Sequence, residues 1–134
     1  MKISSKGRYA VRVLTCLAQK ENEYVSLSAI AEKENITIKY LEQIIALLLK
    51  ENLVVSLRGS YGGYKLSREP QAISIADVLA VTGDMPKLAP CQKSDSGCAK
   101  VQSCSAVGCW DKLAKIIYDY LQNVTLQDLI DKTY

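Results

Sequence analysis

The chain has 134 residues, 49% hydrophobic and 23% charged, with a formal net charge of +3 and no histidine, a length that suits one compact domain plus an appendage. No apolar run approaches the roughly 20 residues needed to span a bilayer. The opening MKISSKGRYAV has neither the apolar stretch nor the cleavage site of a secretory signal, so the expectation is a soluble cytoplasmic protein with no membrane partner.

Ser4 or Ser5 can cap a first helix over 7–19, whose Tyr9, Val13, Cys16 and Leu17 form one stripe with Ala10 and Leu14 beside it. Lys6, Arg8 and Arg12 fall outside that stripe, where a solvated helix start and a phosphate contact are equally open readings. Cys16, among Val13, Leu14 and Leu17, reads as a small core residue. After the polar break Glu21-Asn22-Glu23, Ser26 or Ser28 caps a second helix over 27–33 that turns Leu27, Ile30 and Ala31 inward. Glu34-Asn35 then makes the turn of a helix-turn-helix that runs over 25–50.

The third helix, TIKYLEQIIALLLK over 37–50, organises the chain. Thr37 is placed to cap it, and Ile36 with Leu41 forms a hydrophobic staple. Leu41, Ile44, Ile45 and Leu48 recur at i, i+3, i+4 and i+7, one buried face. The opposite face carries Thr37, Lys39, Tyr40, Glu42 and Gln43, side chains able to reach a base edge or a phosphate. Asn52 tolerates the left-handed conformation that ends helices. A strand over 54–58, the turn Gly59-Ser60-Tyr61-Gly62-Gly63 and a returning strand over 64–66 make a hairpin with Arg58 at its shoulder. Three helices followed by a Gly-rich hairpin is the order of a winged helix-turn-helix, whose third helix enters the DNA major groove. Charge follows the same division: residues 1–70 hold eleven Lys or Arg against seven acids, and 71–134 hold six against seven.

Ser74 caps a further helix that carries Ile75, Val78 and Leu79 and ends near Gly83. From Asp84 to Val107 the composition turns to Pro, Lys, Gln, Ser, Gly and Cys with no sustained period, a longer loop than compact domains usually carry. A strong helix resumes near Gly108 with Trp110, Leu113, Ile117 and Tyr120 at i, i+3, i+7 and i+10, widened by Ile116 and Leu121. That face is too apolar to leave in water, and the expectation is a homodimer closed over it; packing against the chain's own winged helix is the alternative. Thr125 with Asp128 caps a short last helix. Three regions are thus expected: a DNA-binding domain over 1–83, a cysteine-bearing sensor loop over 84–107, and a dimerisation segment over 108–134.

Cys91, Cys98, Cys104 and Cys109 have the spacing C-x6-C-x5-C-x4-C. Zinc sites usually contain a tighter pair, and wider spacings suit a loop around an iron–sulfur cluster. Four loop thiols that bind nothing specific remain open on spacing alone. Trp110 reads as an anchor of the loop to the helix, and Lys93 and Lys100 as either counter-charges to a thiolate cluster or ordinary solvation. No histidine base and no phosphate-cradling glycine loop is present, which leans against a conventional hydrolase or transferase, so no catalytic residue is expected.

The opening SSKGRYAV, the block YLEQI, the wing LRGSYGGYKL and three loop cysteines before a Trp-led helix together resemble the Rrf-type family of bacterial winged-helix transcription regulators, the IscR-, NsrR- and CymR-like proteins. The resemblance covers nearly the whole chain. It implies a mainly α fold with a small β-hairpin wing, and a homodimer, crossed through a long C-terminal helix, that binds double-stranded operator DNA. It also implies DNA-reading residues at Thr37, Lys39, Tyr40, Glu42 and Gln43, and at Arg58, Gly59 and Tyr61 of the wing. The cluster-bearing members imply a [2Fe–2S] or [4Fe–4S] centre on Cys91, Cys98 and Cys104, one that aerobic purification can remove. Three departures stand out: the first cysteine interval has six residues where five is commoner, Val107 replaces the family's histidine, and Arg8 stands where some members offer an acid. Cys109 is the candidate fourth ligand, with a non-protein or partner-subunit ligand as its rival. A cluster-free thiol or zinc sensor, or a repressor of cysteine and sulfur metabolism, is the alternative function; an electron carrier would leave the third helix and wing unexplained.

Overall fold

The structure is a computed structural model that describes residues 1–91 and 98–134. Its elements run α1 (Ser5–Ala18), α2 (Leu27–Glu34), α3 (Ile38–Lys50), β1 (Val54–Leu57), β2 (Gly63–Leu66), a 3₁₀ turn (Pro70–Ala72), α4 (Ile75–Thr82), α5 (Val107–Asn123) and α6 (Leu126–Asp131). The expected architecture of a helix-turn-helix, a two-stranded wing and a long C-terminal helix is present. Lys93 lies outside the described residues.

Short polar residues start almost every helix. Ser4, Ser26 and Thr37 accept the backbone N–H of Gly7, Ala29 and Tyr40, each satisfying a donor that a helix start leaves open. Ser74 with Asp77 and Thr125 with Asp128 form full capping boxes on α4 and α6. α2 ends at Asn35, whose φ of 52° places it in the left-handed region, and the Ile36 N–H returns to the Ala31 carbonyl at 3.1 Å. α4 is closed by Gly83.

Ala10, Val13, Leu14 and Leu17 of α1 meet Ile30 of α2, Leu41, Ile44, Ile45 and Leu48 of α3, and Val78 and Leu79 of α4 in one core. Leu14, Ile30, Leu41, Ile44, Leu48, Ile73, Leu79 and Leu126 are each under 2% exposed. Truncating any such side chain to Ala costs about 2–5 kcal/mol, so rotating α3 about its axis would forfeit several of these terms at once. The outward face of α3 is therefore set by its inward one.

β1 and β2 pair antiparallel with Val54 opposite Leu66 and Leu57 opposite Gly63. Val25 joins the hairpin through an isolated bridge to Tyr64, the two backbones exchanging bonds of 2.8 Å in both directions. Gly63 makes this possible: at φ 149°, a Cβ there would overlap the Val25 carbonyl. The wing is thus bonded to the segment that opens the helix-turn-helix.

The chain returns to the core after α5. Val124 and Leu126 are buried, the Ile75 N–H donates to the Val124 carbonyl at 2.8 Å, and the Leu126 N–H donates to the Ile73 carbonyl at 3.0 Å. α5 itself contains no buried residue. Asp111, Ala114, Ile117 and Leu121 are partly covered, on the side where α5 packs along α4. Trp110, Leu113, Ile116, Tyr118 and Tyr120 stay 40–56% exposed.

Candidate nucleic-acid interface and thiol segment

The candidate DNA-reading residues of α3 divide by exposure. Thr37, Lys39, Glu42 and Gln43 are exposed, and they cluster in the first turns of the helix, the end that meets base edges in helix-turn-helix proteins. Tyr40 is half-buried, because its ring meets the Tyr9 ring edge-on at 5.7 Å and 87°. That leaves only part of this side chain facing outward. Ile38, 45% exposed, and Ala46, also exposed, share this face and are absent from the residues expected to read DNA. An apolar side chain on this face matches the thymine methyl group, and an isoleucine outside the four-residue core stripe was the available signal.

Arg12 does not stand free on the outer side of α1. Its Nε donates to Glu34 Oε2 at 2.8 Å and its Nη2 to the Glu34 carbonyl at 2.9 Å. The guanidinium also lies 5.1 Å from the Tyr9 ring centre. Arg8 donates to Ser5 Oγ at 3.0 Å within its own helix.

At the wing, Arg58, Gly59, Ser60 and Tyr61 are exposed, Tyr61 at 94%. The Gly62 N–H donates to the Gly59 carbonyl at 3.0 Å and closes the turn. Lys65 projects back over the Tyr24 ring at 4.9 Å, a cation–π contact that stiffens the wing root. A cleft of about 420 Å³ between the start of α2 and the wing is lined by Ser26, Leu27, Arg58 and Gly59 among others, so the arginine stands beside a helix N-terminus, the usual place for a phosphate.

The thiols are arranged differently. All five cysteines are free; Cys16 is buried, Cys91 half-buried, and Cys98, Cys104 and Cys109 are exposed. Burial pushes the Cys16 thiol above its ordinary value, opposed chiefly by the Lys33 ammonium, consistent with an inert core residue. Short turns shape the loop: Val101 N–H to Cys98 carbonyl, Ser103 N–H to Lys100 carbonyl, and Cys109 N–H to Ala106 carbonyl, at 3.0–3.2 Å. Cys109 lies in the first turn of α5, whose cap residue Ala106 supplies no side-chain bond. Among the described residues, no three Cys, His, Asp or Glu side chains converge closely enough to hold a metal ion. The donor chemistry suits an iron–sulfur cluster, but this arrangement of the cysteines does not assemble a site for one.

A model of the Rrf2 family, described as iron-dependent transcriptional regulators, matches residues 3–132. The HTH-type transcriptional regulator IscR of Erwinia tasmaniensis is 36% identical over 132 residues, spanning 98% of this chain and 79% of that protein. Protein rrf2 of Nitratidesulfovibrio vulgaris is 32% identical over 131 residues, spanning 97% and 87%. Among solved structures, CymR, the global cysteine regulator of B. subtilis, superposes with a TM-score of 0.75 at 32% identity, covering 100% of this chain and 99% of that one. IscR of T. potens superposes with a TM-score of 0.76 at 36% identity, covering 100% and 89%.

Proposed function

From the premise that this chain belongs to the Rrf2 family of transcriptional regulators, we propose that it works as a cytoplasmic homodimer that binds double-stranded operator DNA and changes transcription without catalysing a reaction. The observation that carries this reading is the division of α3: Leu41, Ile44, Ile45 and Leu48 are locked in the core, while Thr37, Lys39, Glu42 and Gln43 face solvent at the leading end. Gln43 can pair with adenine and Glu42 can accept from cytosine N4, Lys39 suits a phosphate, and Arg58 suits a narrow minor groove. Tyr40 contributes its outward edge, and Gly59 and Tyr61 shape the wing tip. Selection of duplexes from a randomised pool, followed by footprinting, tests the reading. The expected result is an inverted repeat bound well above the salt-sensitive background. Gln43→Ala and Arg58→Ala should each weaken it by about 1–3 kcal/mol. Failure to enrich any duplex would overturn the proposal.

The sensing part of the proposal rests on Cys91, Cys98 and Cys104 as ligands of a [2Fe–2S] or [4Fe–4S] cluster, with Cys109 as candidate fourth. The family's iron dependence and four thiols within nineteen residues support it. Ligation by all three requires an arrangement of the thiols other than the one described. A second reading, a thiol or zinc sensor without a cluster, is supported by the likeness to a cysteine regulator. Iron, zinc and sulfide analysis of anaerobically purified protein separates the two. Of the regions expected, we assign 1–83 to DNA binding, 84–107 to sensing and 108–134 to pairing of the two chains.

A further inference from the structure

We infer that Arg12 is a positioning residue: it sets the angle at which α3 is presented to DNA, and it does so by gripping the turn of the helix-turn-helix instead of a phosphate. The inference rests on the DNA-binding reading above and adds a residue to it.

An arginine on the outer side of α1 in a DNA-binding chain invites a phosphate contact, but here two donors of its fork are already engaged. The Nε takes the Glu34 carboxylate and Nη2 takes the Glu34 main-chain carbonyl. Glu34 is the last residue of α2, so its carbonyl is one that the helix end leaves without an intrahelical partner. Its carboxylate side chain is only 12% exposed, against 50% for Arg12, and a carboxylate so covered needs a cation beside it. One guanidinium thus meets both requirements of the residue from which the turn departs.

The turn is short. Asn35 is left-handed, and Thr37 already caps α3. One helical turn before Arg12, Tyr9 holds the other end of the same turn by meeting Tyr40 edge-on, and the Arg12 guanidinium lies against the Tyr9 ring. Two α1 residues spaced i, i+3 therefore share one face and grip both the residue that leaves α2 and the first turn of α3. Lys39 lies in that turn, and Glu42 and Gln43 follow in the next. Hydrogen bonds to base edges weaken steeply once the donor–H–acceptor angle falls below about 120°, so fixing the angle of this helix is a condition of reading sequence.

The two roles for Arg12 predict opposite results. The probes are a duplex selected by the wild-type protein and a random duplex of equal length, measured over a series of salt concentrations. For the positioning role, Arg12→Ala lowers the ratio of selected to random affinity about tenfold, the scale of one misread base pair, and leaves the salt slope unchanged. Arg12→Lys fails to rescue, because an ammonium keeps the charge but not the planar fork. Glu34→Ala lowers the ratio as well, although it removes a negative charge. If Arg12 instead meets a phosphate, Arg12→Ala weakens both duplexes alike and reduces the slope by about one. Arg12→Lys then retains affinity, and Glu34→Ala strengthens binding to both by freeing the arginine. That second pattern, or an unchanged ratio in all three variants, overturns the inference. Should Arg12→Ala lower the thermal unfolding midpoint below the assay temperature, Arg12→Lys and Glu34→Ala decide the matter alone. A wild-type protein that selects no duplex would sink the DNA reading itself, an outcome distinct from a selected duplex to which the variants are indifferent.

Discussion

Asp84 reaches across the molecule to Ser4. The Ser4 N–H donates to Oδ1 at 3.0 Å, and the Ser4 hydroxyl donates to Oδ2 at 2.7 Å. The same hydroxyl oxygen accepts the Gly7 N–H at 3.0 Å and so caps α1, while Thr82 Oγ1 donates to Oδ2 at 2.6 Å. The residue at which the cysteine-bearing segment leaves α4 is therefore bonded to the start of the helix that grips the helix-turn-helix.

This clasp explains the glycine at position 7. A Cβ there would overlap Asp84 Oδ2, with Leu79 Cδ2 only 3.2 Å away, and the carboxylate cannot swing aside without releasing Ser4 and Thr82. Gly7→Ala should therefore destabilise the protein by about 1–2 kcal/mol, despite a gain of up to about 1 kcal/mol in helix propensity. In an Asp84→Ala background most of that cost should vanish. Urea denaturation of the four proteins in the double-mutant cycle measures the coupling; equal costs of Gly7→Ala in both backgrounds would show that the clasp is not what excludes a side chain.

The same carboxylate predicts an acid limb in the stability curve. Burial alone would raise the Asp84 pKa, but hydrogen bonds from Thr82 and Ser4 and the nearby Lys6 ammonium outweigh it, and the net direction is downward. Asp128 is lowered by its bonds from the Thr125 backbone and hydroxyl and from Thr133. A carboxylate whose folded pKa lies below its unfolded value, about 4, contributes stability that is present above that value. The contribution is lost as pH falls through the folded pKa. Wild-type urea midpoints should accordingly decline below about pH 4, and Asp84→Asn should start lower at neutral pH and decline less steeply. Parallel acid limbs in the two proteins would contradict the assignment.

How much of this was legible in the chain depends on the sequence distance between partners. The cap at Thr37, the staple from Ile36 and the stripe from Leu41 to Leu48 lie within one short run, and local rules suffice for them. The wing announced itself through its glycines, though the need for Gly63 arises from Val25, far back in the chain. The Asp84–Ser4 bonds span 80 positions and the Arg12–Glu34 bonds 22, and no periodicity encodes such pairs. Tyr40 falls on the outward face by spacing, but a large ring at the border of the core stripe reaches Tyr9 and is half-buried. In α5 the apolar residues read as one face, yet the fold divides them: Ile117 and Leu121 turn partly inward with Ala114, while Trp110, Leu113, Ile116 and Tyr120 remain outward. The disposition of the thiols followed from no pattern at all, because loop geometry is set by contacts that spacing does not specify.

The outward half of α5 leads to a prediction about assembly. Ile116 and Tyr120 are each 56% exposed and sit one turn apart, on a helix with no buried residue of its own. If two chains pair through this face, Ile116→Asp places a charge in the middle of the contact and should convert a particle of twice the chain mass into a single chain. Light scattering and sedimentation give the mass directly. Since Ile116 takes no part in the core that holds α1, α3 and α4, the thermal unfolding of the isolated variant chain should remain cooperative. A variant that keeps the doubled mass would move the pairing surface elsewhere.

Cysteine replacements separate ligand from bystander in the sensing segment. Cys98 is exposed and contributes its carbonyl to a turn with Val101, a role that its side chain does not enter. Cys98→Ala should therefore leave folding and operator selection by the apo protein intact. On the cluster reading, it should abolish bound iron and sulfide and the visible absorption of anaerobically prepared protein. Cys109→Ala is the more informative change, because this thiol lies in the first turn of α5, on a regular element and not in the loop that carries the other three. As fourth ligand, its loss should lower iron content or hasten loss of the absorption in air; iron content and air stability equal to wild type would hand the fourth position to another group. Zinc without iron or sulfide in the wild-type protein would instead favour the cluster-free sensor, with the same two variants then reporting on zinc stoichiometry.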